Sequence, residues 1–480
     1  MKKIGLDKIF FNSVAIYSLS DFITKLISLI VIPLYAIYLS AKLFGVLELI
    51  SVSISLISVA FGIGLANSLN RYFYEKNADT KYQIDLFSTG FNFLLLLNVS
   101  VYFIFSIALY SLDGFMNINF YDQSPILFYV ALTLLPLSNL LNYSQTMLRM
   151  RFKPKHFMVT GIISYSLPPI ISIYLMKYLN LKLEAIFYSS AICLLIGNIY
   201  AFIVNKDYFN FSISKKILVK ILKFGAPFIF TSLAYWAYSS LDRIFISAML
   251  TIEDVGSYAI ASKVALVPLL VFTAIGTAWN PLVMKLRKDL DNDAFKYFLR
   301  SSLALSLLVG LLLSGFIALF CGEIISLLFP KEYSTASYAA IFLTIGASLN
   351  FSTQVTGLGI SLAEKTILFT YLSFFGLLIN GIGNYILVPA LGVNGAGLST
   401  LVSYLFLTTS YSYFSFKLYP INPKYIKIIF LLLIYIFVLG CSLYFHSYIL
   451  SLISLSKAFI MCPILILIFY EFRKIKEILQ

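Results

Sequence analysis

Six ionisable side chains stand inside long apolar stretches of the sequence: Asp21, Lys25, Glu48, Asp242, Arg243 and Lys263. A charge at the centre of a bilayer costs about 3 kcal/mol on insertion scales and more in simulations, so such groups face a cavity or a partner. Lys25 lies about fifteen residues from either end of its stretch, and at ~1.5 Å per residue its stem does not reach either surface. Asp21 sits one turn earlier on the same helical face. The two read either as an anion ligand with its tuning carboxylate or as a self-neutralising structural pair. Lys263 lies about eight residues into its stretch, where partial snorkelling is open to it. Asp242 and Arg243 point ~100° apart at a depth that also suits an interfacial anchor. Glu48 closely follows a polar turn and reads first as interfacial. The expected roles are substrate binding for Lys25, Lys263 and Arg243, and ion coupling or charge tuning for Asp21, Asp242 and Glu48. Three of the six are cations and three are acids, and a cavity with spare cationic groups would favour a phosphorylated or otherwise anionic substrate, with the carboxylates tuning charge or coupling to a cation.

No other spacing carries chemistry. The chain has no H-E-x-x-H, no Walker loop and no G-x-S-x-G. Its four cysteines (Cys193, Cys321, Cys441, Cys462) and two histidines (His156, His446) are isolated from one another, without metal or redox spacing, and read as packing or interface residues. The expectation is a protein that is not an enzyme and has no cofactor or metal centre. Lacking an ATP site, it would draw energy from an ion gradient, the membrane potential or the gradient of its substrate.

The elements that position these residues follow from composition. The 480 residues are 60% hydrophobic and 12% charged, against roughly 25% charged in a soluble domain. Apolar runs repeatedly reach the ~20 residues that cross a bilayer as a helix. Lipid offers no partner to bare backbone groups, and continuous runs rather than ten-residue alternations exclude a barrel. The expected fold is all-α and integral to the membrane. Fourteen spans centre on 10–39, 44–70, 84–110, 124–147, 156–178, 182–204, 218–249, 255–284, 294–320, 335–361, 366–388, 393–416, 424–446 and 449–470. The two N-terminal lysines ahead of an apolar run faintly imitate a signal peptide, but no small-residue cleavage site follows, so the run reads as the first retained span.

Charge supports the count. With the N-terminus in the cytoplasm, the inner loops hold 27 of the 35 Lys and Arg residues, and the outer positions hold only Lys42, Lys177, Lys182, Lys331 and Lys457. The net charge of +14 is therefore explained by topology rather than by nucleic acid. The clusters Arg149, Arg151, Lys153, Lys155 and Lys215, Lys216, Lys220, Lys223 read as cytoplasmic anchors, with anionic lipid or a partner protein as a further role. The loops are short, and the outer one around Asp113–Gln123 has no Lys or Arg.

A hydrophobic hairpin is used twice. Leu39 and Leu250 open a short polar turn and Gly45 and Gly256 close it, both at an offset of 211. A second correspondence sets Leu179-Asn180-Leu181 against Leu391-Gly392-Val393, at an offset of 212. The expected domains are a six-helix lobe at 1–205, a second at 206–418, and two additional helices with a tail at 419–480. Six spans plus six share one orientation, a parallel repeat whose usual consequence is a cavity exposed alternately by rocking. The charges are not repeated: Lys25 aligns with Trp236, Arg243 with Ile32 and Lys263 with Val52.

Several motifs carry a resemblance: Pro33 followed by Leu39-Ser40-Ala41-Lys42-Leu43-Phe44-Gly45, then Gly225-Ala226-Pro227, Leu241-Asp242-Arg243, Val255-Gly256-Ser257-Tyr258, and Gly392-Val393-Asn394-Gly395-Ala396-Gly397. In order and spacing they resemble the polysaccharide-transport flippases of the MOP superfamily, over the whole chain and including a twelve-plus-two span arrangement. The resemblance implies movement of an undecaprenyl-pyrophosphate-linked oligosaccharide, such as an O-antigen or capsule repeat unit, to the periplasmic leaflet of a bacterial inner membrane, with both termini cytoplasmic. It implies a cationic central cavity, which Lys25, Arg243 and Lys263 fit. It implies as partners the lipid-linked glycan, membrane lipids, and the polymerase and chain-length proteins of the same pathway. The related peptidoglycan-precursor flippases fit less well, because their richer arginine set is missing. Two other classes stay open: a MATE-type cation-coupled drug exporter, whose site would be dominated by acids, and a scaffold of a glycan assembly complex that transports nothing.

Overall fold

The computed structural model describes residues 2–75, 79–116, 124–365, 367–420, 425–446 and 457–479. Most of the outer loop around Asp113–Gln123 and the start of the expected span at 449–470 lie outside them. Among the described residues the chain is helical throughout. The helices are α1 (Lys2–Tyr38), α2 (Ala41–Gly62), α3 (Leu65–Tyr72), α4 (Thr80–Met116), α5 (Pro125–Met150), α6 (Pro154–Gly161), α7 (Leu167–Leu179), α8 (Leu183–Asn205), α9 (Lys215–Gly225) and α10 (Pro227–Met249). They continue with α11 (Ile252–Asp289), α12 (Asn292–Leu319), α13 (Cys321–Leu328), α14 (Ala336–Thr356), α15 (Leu358–Leu362), α16 (Ile367–Leu391), α17 (Val393–Leu418), α18 (Tyr425–Phe445) and α19 (Cys462–Leu479). A π-helical turn, Ile162–Ser166, joins α6 and α7 into one span.

Ten helical segments are long and apolar enough to cross a membrane, and they coincide with ten of the fourteen expected spans. The other four differ for stated reasons. At 335–361 and 393–416 the chain forms α14 and α17, of 21 and 26 residues, but serines, threonines and asparagines dilute their apolar character. Those hydroxyls are largely internal: Thr344 donates to Ala340 O, Ser348 to Ile345 O, and Ser403 to Gly376 O. Such bonds satisfy the polar group within the bundle. At 424–446 the apolar helix is the shorter Ile429–Phe445, and at the C-terminal end the described helix is α19, displaced towards the terminus relative to 449–470.

The chain divides into two compact units, Met1–Leu39 with Val46–Ser240, and Ser40–Gly45 with Leu241–Gln480. In the first, α5 packs along α8 and α4, and α9 lies on α3 over a buried cluster that includes Leu65, Phe73, Phe87, Tyr143 and Ile221. The approach of α9 to α3 is close: Ser68 Oγ donates to Ile221 O at 2.7 Å, and a Cβ on Gly225 would meet Ile63 O at 2.6 Å. In the second unit α14 is the central helix, packed on α17, α12 and α11.

The repeat read from sequence reappears as backbone geometry. Leu39 N donates to Tyr35 O and Leu250 N to Ile246 O, both at 2.8 Å, again 211 residues apart. Asn180 and Gly392 both take a positive φ, at 53° and 62°, which only glycine and the small polar residues adopt cheaply, and of the two Asn180 is the left-handed helical one, with ψ 22° against −143° at Gly392. A further pair was not legible from residue types: Phe152 and Glu364, 212 apart, are left-handed at φ 49° and 57°. In each the following lysine N–H reaches back to a carbonyl five residues earlier, Lys153 to Leu148 and Lys365 to Ile360, the Schellman closure of a helix end. Most telling is the crossing inside the second unit. A Cβ on Gly45 would meet Ile252 O at 2.0 Å, and one on Gly256 would meet Ala41 O at 2.1 Å. Since Ala41 corresponds to Ile252 and Gly45 to Gly256, the contact is reciprocal, as a two-fold relation requires.

Candidate functional site

The first cluster of expected site residues lies on α1. Ser18, Asp21, Lys25 and Ser28 are all exposed, and their i, i+3, i+7, i+10 spacing puts them on one face. A second exposed face beside it is apolar, with Leu19, Phe22, Leu26, Ile30 and Ile37. The opposite side packs on α6, the π turn and α7, with Ser20 buried and facing Gly161. The helix thus offers one surface suited to acyl chains and one, carrying Asp21 and Lys25, suited to water. Among the described residues neither Asp21 nor Lys25 makes a hydrogen bond or an ion pair, so the self-neutralising pair is not formed. Asp21 is within electrostatic range of Tyr165, in the π turn.

The second cluster surrounds Asp242 on α10, which is 3% exposed. Its Oδ2 accepts from Tyr258 Oη at 2.5 Å and from Thr400 Oγ1 at 3.0 Å, and its Oδ1 accepts from Asn384 Nδ2 at 2.7 Å. Asn384 also donates to Asn380 O at 2.9 Å, and Asn380 Nδ2 donates to Thr400 Oγ1 at 3.1 Å. The Asn384 Oδ1 is buried without a hydrogen-bond partner. Arg243 is buried as well, its guanidinium carbon 5.6 Å from the centre of the Tyr258 ring. Four helices, α10, α11, α16 and α17, therefore converge on one carboxylate through neutral oxygen and nitrogen groups. Sequence reading named Asp242 and Arg243 and missed Tyr258, Asn380, Asn384 and Thr400. The available signal was Asn380 and Asn384, one turn apart in an otherwise apolar helix.

Of the remaining two residues, Glu48 is buried on α2, in the first unit, and Lys263 is half-buried on α11, in the second. Among the described residues no group of three His, Cys, Asp or Glu forms a metal site, and the four cysteines are free thiols.

Residues of the two basic clusters also enter the first unit's packing. Arg151 caps the end of α8 through Val204 O at 2.9 Å and Asn205 Oδ1 at 3.0 Å, and covers the Tyr208 ring; burial lowers the pKa of its guanidinium. Lys220 of α9 binds Glu75 Oε2 at 2.5 Å and Tyr82 Oη at 3.3 Å. The Lys220 hydrogen bond holds the Glu75 carboxyl below its ordinary pKa.

Comparison with known proteins places this geometry. Residues 10–287 match the model of a family described as polysaccharide biosynthesis protein, and residues 227–386 match the MatE family model. A probable low-salt glycan biosynthesis flippase, Agl15, of Haloferax volcanii is 24% identical over 198 residues, 41% of this chain and 42% of that protein. The capsular polysaccharide biosynthesis protein CapF of Staphylococcus aureus is 26% identical over 210 residues, 44% of this chain and 52% of its own. The chain thus spans about half the length of these curated relatives. The lipid II flippase MurJ, in an inward closed conformation, superposes with a TM-score of 0.74 at 17% identity, over 95% of this chain and 98% of that one, a likeness of fold. With more than half of its length under the first model, this multi-pass membrane chain belongs to the polysaccharide biosynthesis protein family.

Proposed function

We propose that the protein is a flippase that carries an undecaprenyl-pyrophosphate-linked oligosaccharide, such as an O-antigen or capsule repeat unit, from the cytoplasmic to the periplasmic leaflet of a bacterial inner membrane. The observation that carries this reading is the exposed, unpaired Lys25 in the middle of a bilayer-length helix, on a polar face distinct from the apolar one. Its ammonium binds the pyrophosphate, and Lys263 and Arg243 are further substrate-binding cations. Asp21 and Glu48 tune the charge, and Asp242, held by neutral hydroxyl and amide donors, couples transport to a monovalent cation. The lipid tail stays in the bilayer while the head crosses a polar path, which avoids dragging sugar and phosphate through hydrocarbon. The parallel repeat supports alternating access as the means, and both termini are cytoplasmic. The glycan-related names of the matched relatives agree with this reading.

A second reading, a MATE-type cation-coupled exporter, draws on the MatE match and on the Asp242 network. A cationic Lys25 on the exposed face argues against a cationic cargo.

Deletion of the gene should cause lipid-linked repeat unit to accumulate inside the cell. Complementation with Lys25→Ala and with Lys263→Ala should fail to restore export. Normal export by both variants would remove the assignment, and dye transport in vesicles that is lost on Asp21→Asn would favour the exporter.

A further inference from the structure

The repeat offset of 211 sets α10 against α1, residue for residue: Ser232 stands for Asp21, Trp236 for Lys25 and Ser239 for Ser28. Where α1 exposes charge, α10 exposes neutral hydrogen-bonding and aromatic groups. Thr231, Tyr235 and Ser239 are all exposed and fall at i, i+4 and i+8, on one face. Tyr235 is 79% exposed. It lies eight residues after Pro227 and fourteen before Met249, so about 12 Å and about 21 Å of helix separate it from the two ends. That depth is well inside the interfacial belt where a tyrosine reaches headgroups and water. Against acyl chains its hydroxyl would have no partner, and among the described residues it makes no hydrogen bond. Beside it Trp236 is fixed: its Nε1–H donates to Ser55 Oγ of α2 at 2.9 Å, and Ser55 in turn donates to Val52 O at 2.8 Å. With its N–H used, the half-buried indole has only its ring surface left to offer. No charged residue occurs on α10 before Asp242.

We propose that this face of α10, Thr231 and Tyr235 beside the clamped Trp236, is the sugar-contacting subsite, with the pyrophosphate left to Lys25 on α1. An aromatic plane receives the C–H face of a pyranose ring, and the phenol hydroxyl both donates to and accepts from sugar hydroxyls. A neutral surface of this kind brings no positive charge to a pyrophosphate and no carboxylate to a drug cation. The assignment rests on the flippase reading and divides its substrate into two chemically different ends, each met by one of two repeat-related helices.

Two measurements on the full-length protein test it. The first uses Tyr235→Cys in a background with Cys193, Cys321, Cys441 and Cys462 replaced by alanine. A charged, membrane-impermeant maleimide should label the new thiol in open membranes; labelling by a lipid-soluble maleimide alone would place residue 235 against lipid and overturn the proposal. The second compares binding, in nanodiscs, of lipid-linked oligosaccharide extracted from the deletion strain with binding of sugar-free undecaprenyl pyrophosphate. Tyr235→Ala should weaken the glycan-bearing lipid about tenfold, the size of one lost aromatic and hydrogen-bonding contact, and leave the sugar-free lipid unchanged. Tyr235→Phe should fall between, and Lys25→Ala should weaken both lipids. Equal weakening of both lipids by Tyr235→Ala, or affinity for the glycan-bearing lipid within twofold of wild type, sinks the subsite while the flippase reading stands. Binding of neither lipid by the wild-type protein ends both.

Discussion

Replacing Asp242 separates what its charge does from what its shape does. Three donors converge on the carboxylate: Tyr258 Oη and Thr400 Oγ1 on Oδ2, and Asn384 Nδ2 on Oδ1. Asp242→Leu leaves Tyr258 and Thr400 buried without an acceptor and Asn384 Nδ2 with Asn380 alone, and at ~1 kcal/mol or more for each orphaned donor the second unit loses about 2–3 kcal/mol. Asp242→Asn is different. An amide oxygen in the Oδ2 position keeps Tyr258 and Thr400, and the new Nδ2 then faces Asn384 Nδ2. The Asn384 amide can turn over, because its Oδ1 now has no partner and becomes the acceptor that the new donor needs. The turn forfeits the bond to Asn380 O, a cost of about 1 kcal/mol, and the loss of charge assistance is offset by no longer burying a charge. Thermal unfolding of purified protein, followed by retention of monodisperse protein after heating, should therefore rank wild type, Asp242→Asn and Asp242→Leu in that order, with a clear gap before the last. Both variants should fail to complement export, since both remove the charge. Equal destabilisation by the two would refute the amide-turn argument, and export by Asp242→Asn would remove the carboxylate from the coupling role.

Three further outcomes are expected. Lys25→Ala should abolish export while leaving expression and melting unchanged, because the side chain is exposed and unpaired, and Lys25→Arg should restore part of it; unimpaired export by Lys25→Ala, scored as cell-surface glycan, counts against the site. Gly45→Ala and Gly256→Ala each drive a Cβ to within 2.0 or 2.1 Å of a backbone oxygen, so each should cost about 3 kcal/mol, and the double variant should cost less than the sum because both act on one crossing; a heating series on all three checks this, and tolerance of either single change would contradict the reciprocal contact. The hold of Lys220 on Glu75 should depend on pH in one direction: a carboxylate with a depressed folded-state pKa contributes fully above its ordinary value of 4.5 and loses that contribution as pH falls through the lower folded value. Amide exchange in α9 should accordingly quicken below about pH 4.5 in the wild type, and Glu75→Gln should show no such step.

Much of the fold was legible because it depends on patterns local to the chain. Apolar runs of membrane length gave ten spans directly, and the turn at Leu39–Gly45 identified its counterpart at Leu250–Gly256 because both are bounded by the same residue types. The positive φ at Asn180 and at Gly392 was signalled by residue types that tolerate it. The pair Phe152 and Glu364 was not, since neither residue type favours positive φ and the conformation is imposed by closure of the preceding helix. α14 and α17 were read as spans from length, but how they carry their hydroxyls depends on side-chain bonds back to the backbone, which hydropathy does not see. For the site, Lys25 and Asp21 could be singled out from depth alone. The partners of Asp242 could not, because Tyr258, Asn384 and Thr400 lie 16, 142 and 158 residues away and are ordinary polar residues until the helices meet.

What the repeat keeps and what it discards divide along a physical line. The duplicated positions close backbone: the turn bonds at Leu39 and Leu250, the positive-φ residues at 152 and 364 and at 180 and 392, and the glycines at 45 and 256. Each is needed once per half because helix ends and close crossings impose the same steric demand wherever they occur. The positions that break the symmetry, 25 against 236, 32 against 243 and 52 against 263, carry side chains whose roles are electrostatic or hydrogen-bonding, not steric. Under the proposed function the cargo itself is asymmetric, with a doubly phosphorylated end and a neutral sugar end. Two identical surfaces would serve only one of those ends well. A duplicated Lys25 at position 236 would put an ammonium where the α10 face is otherwise neutral. Trp236→Lys should therefore insert and fold poorly or, where it folds, should bind sugar-free undecaprenyl pyrophosphate more tightly and the glycan-bearing lipid less so. A variant that folds and exports normally would show that the neutrality of α10 is incidental.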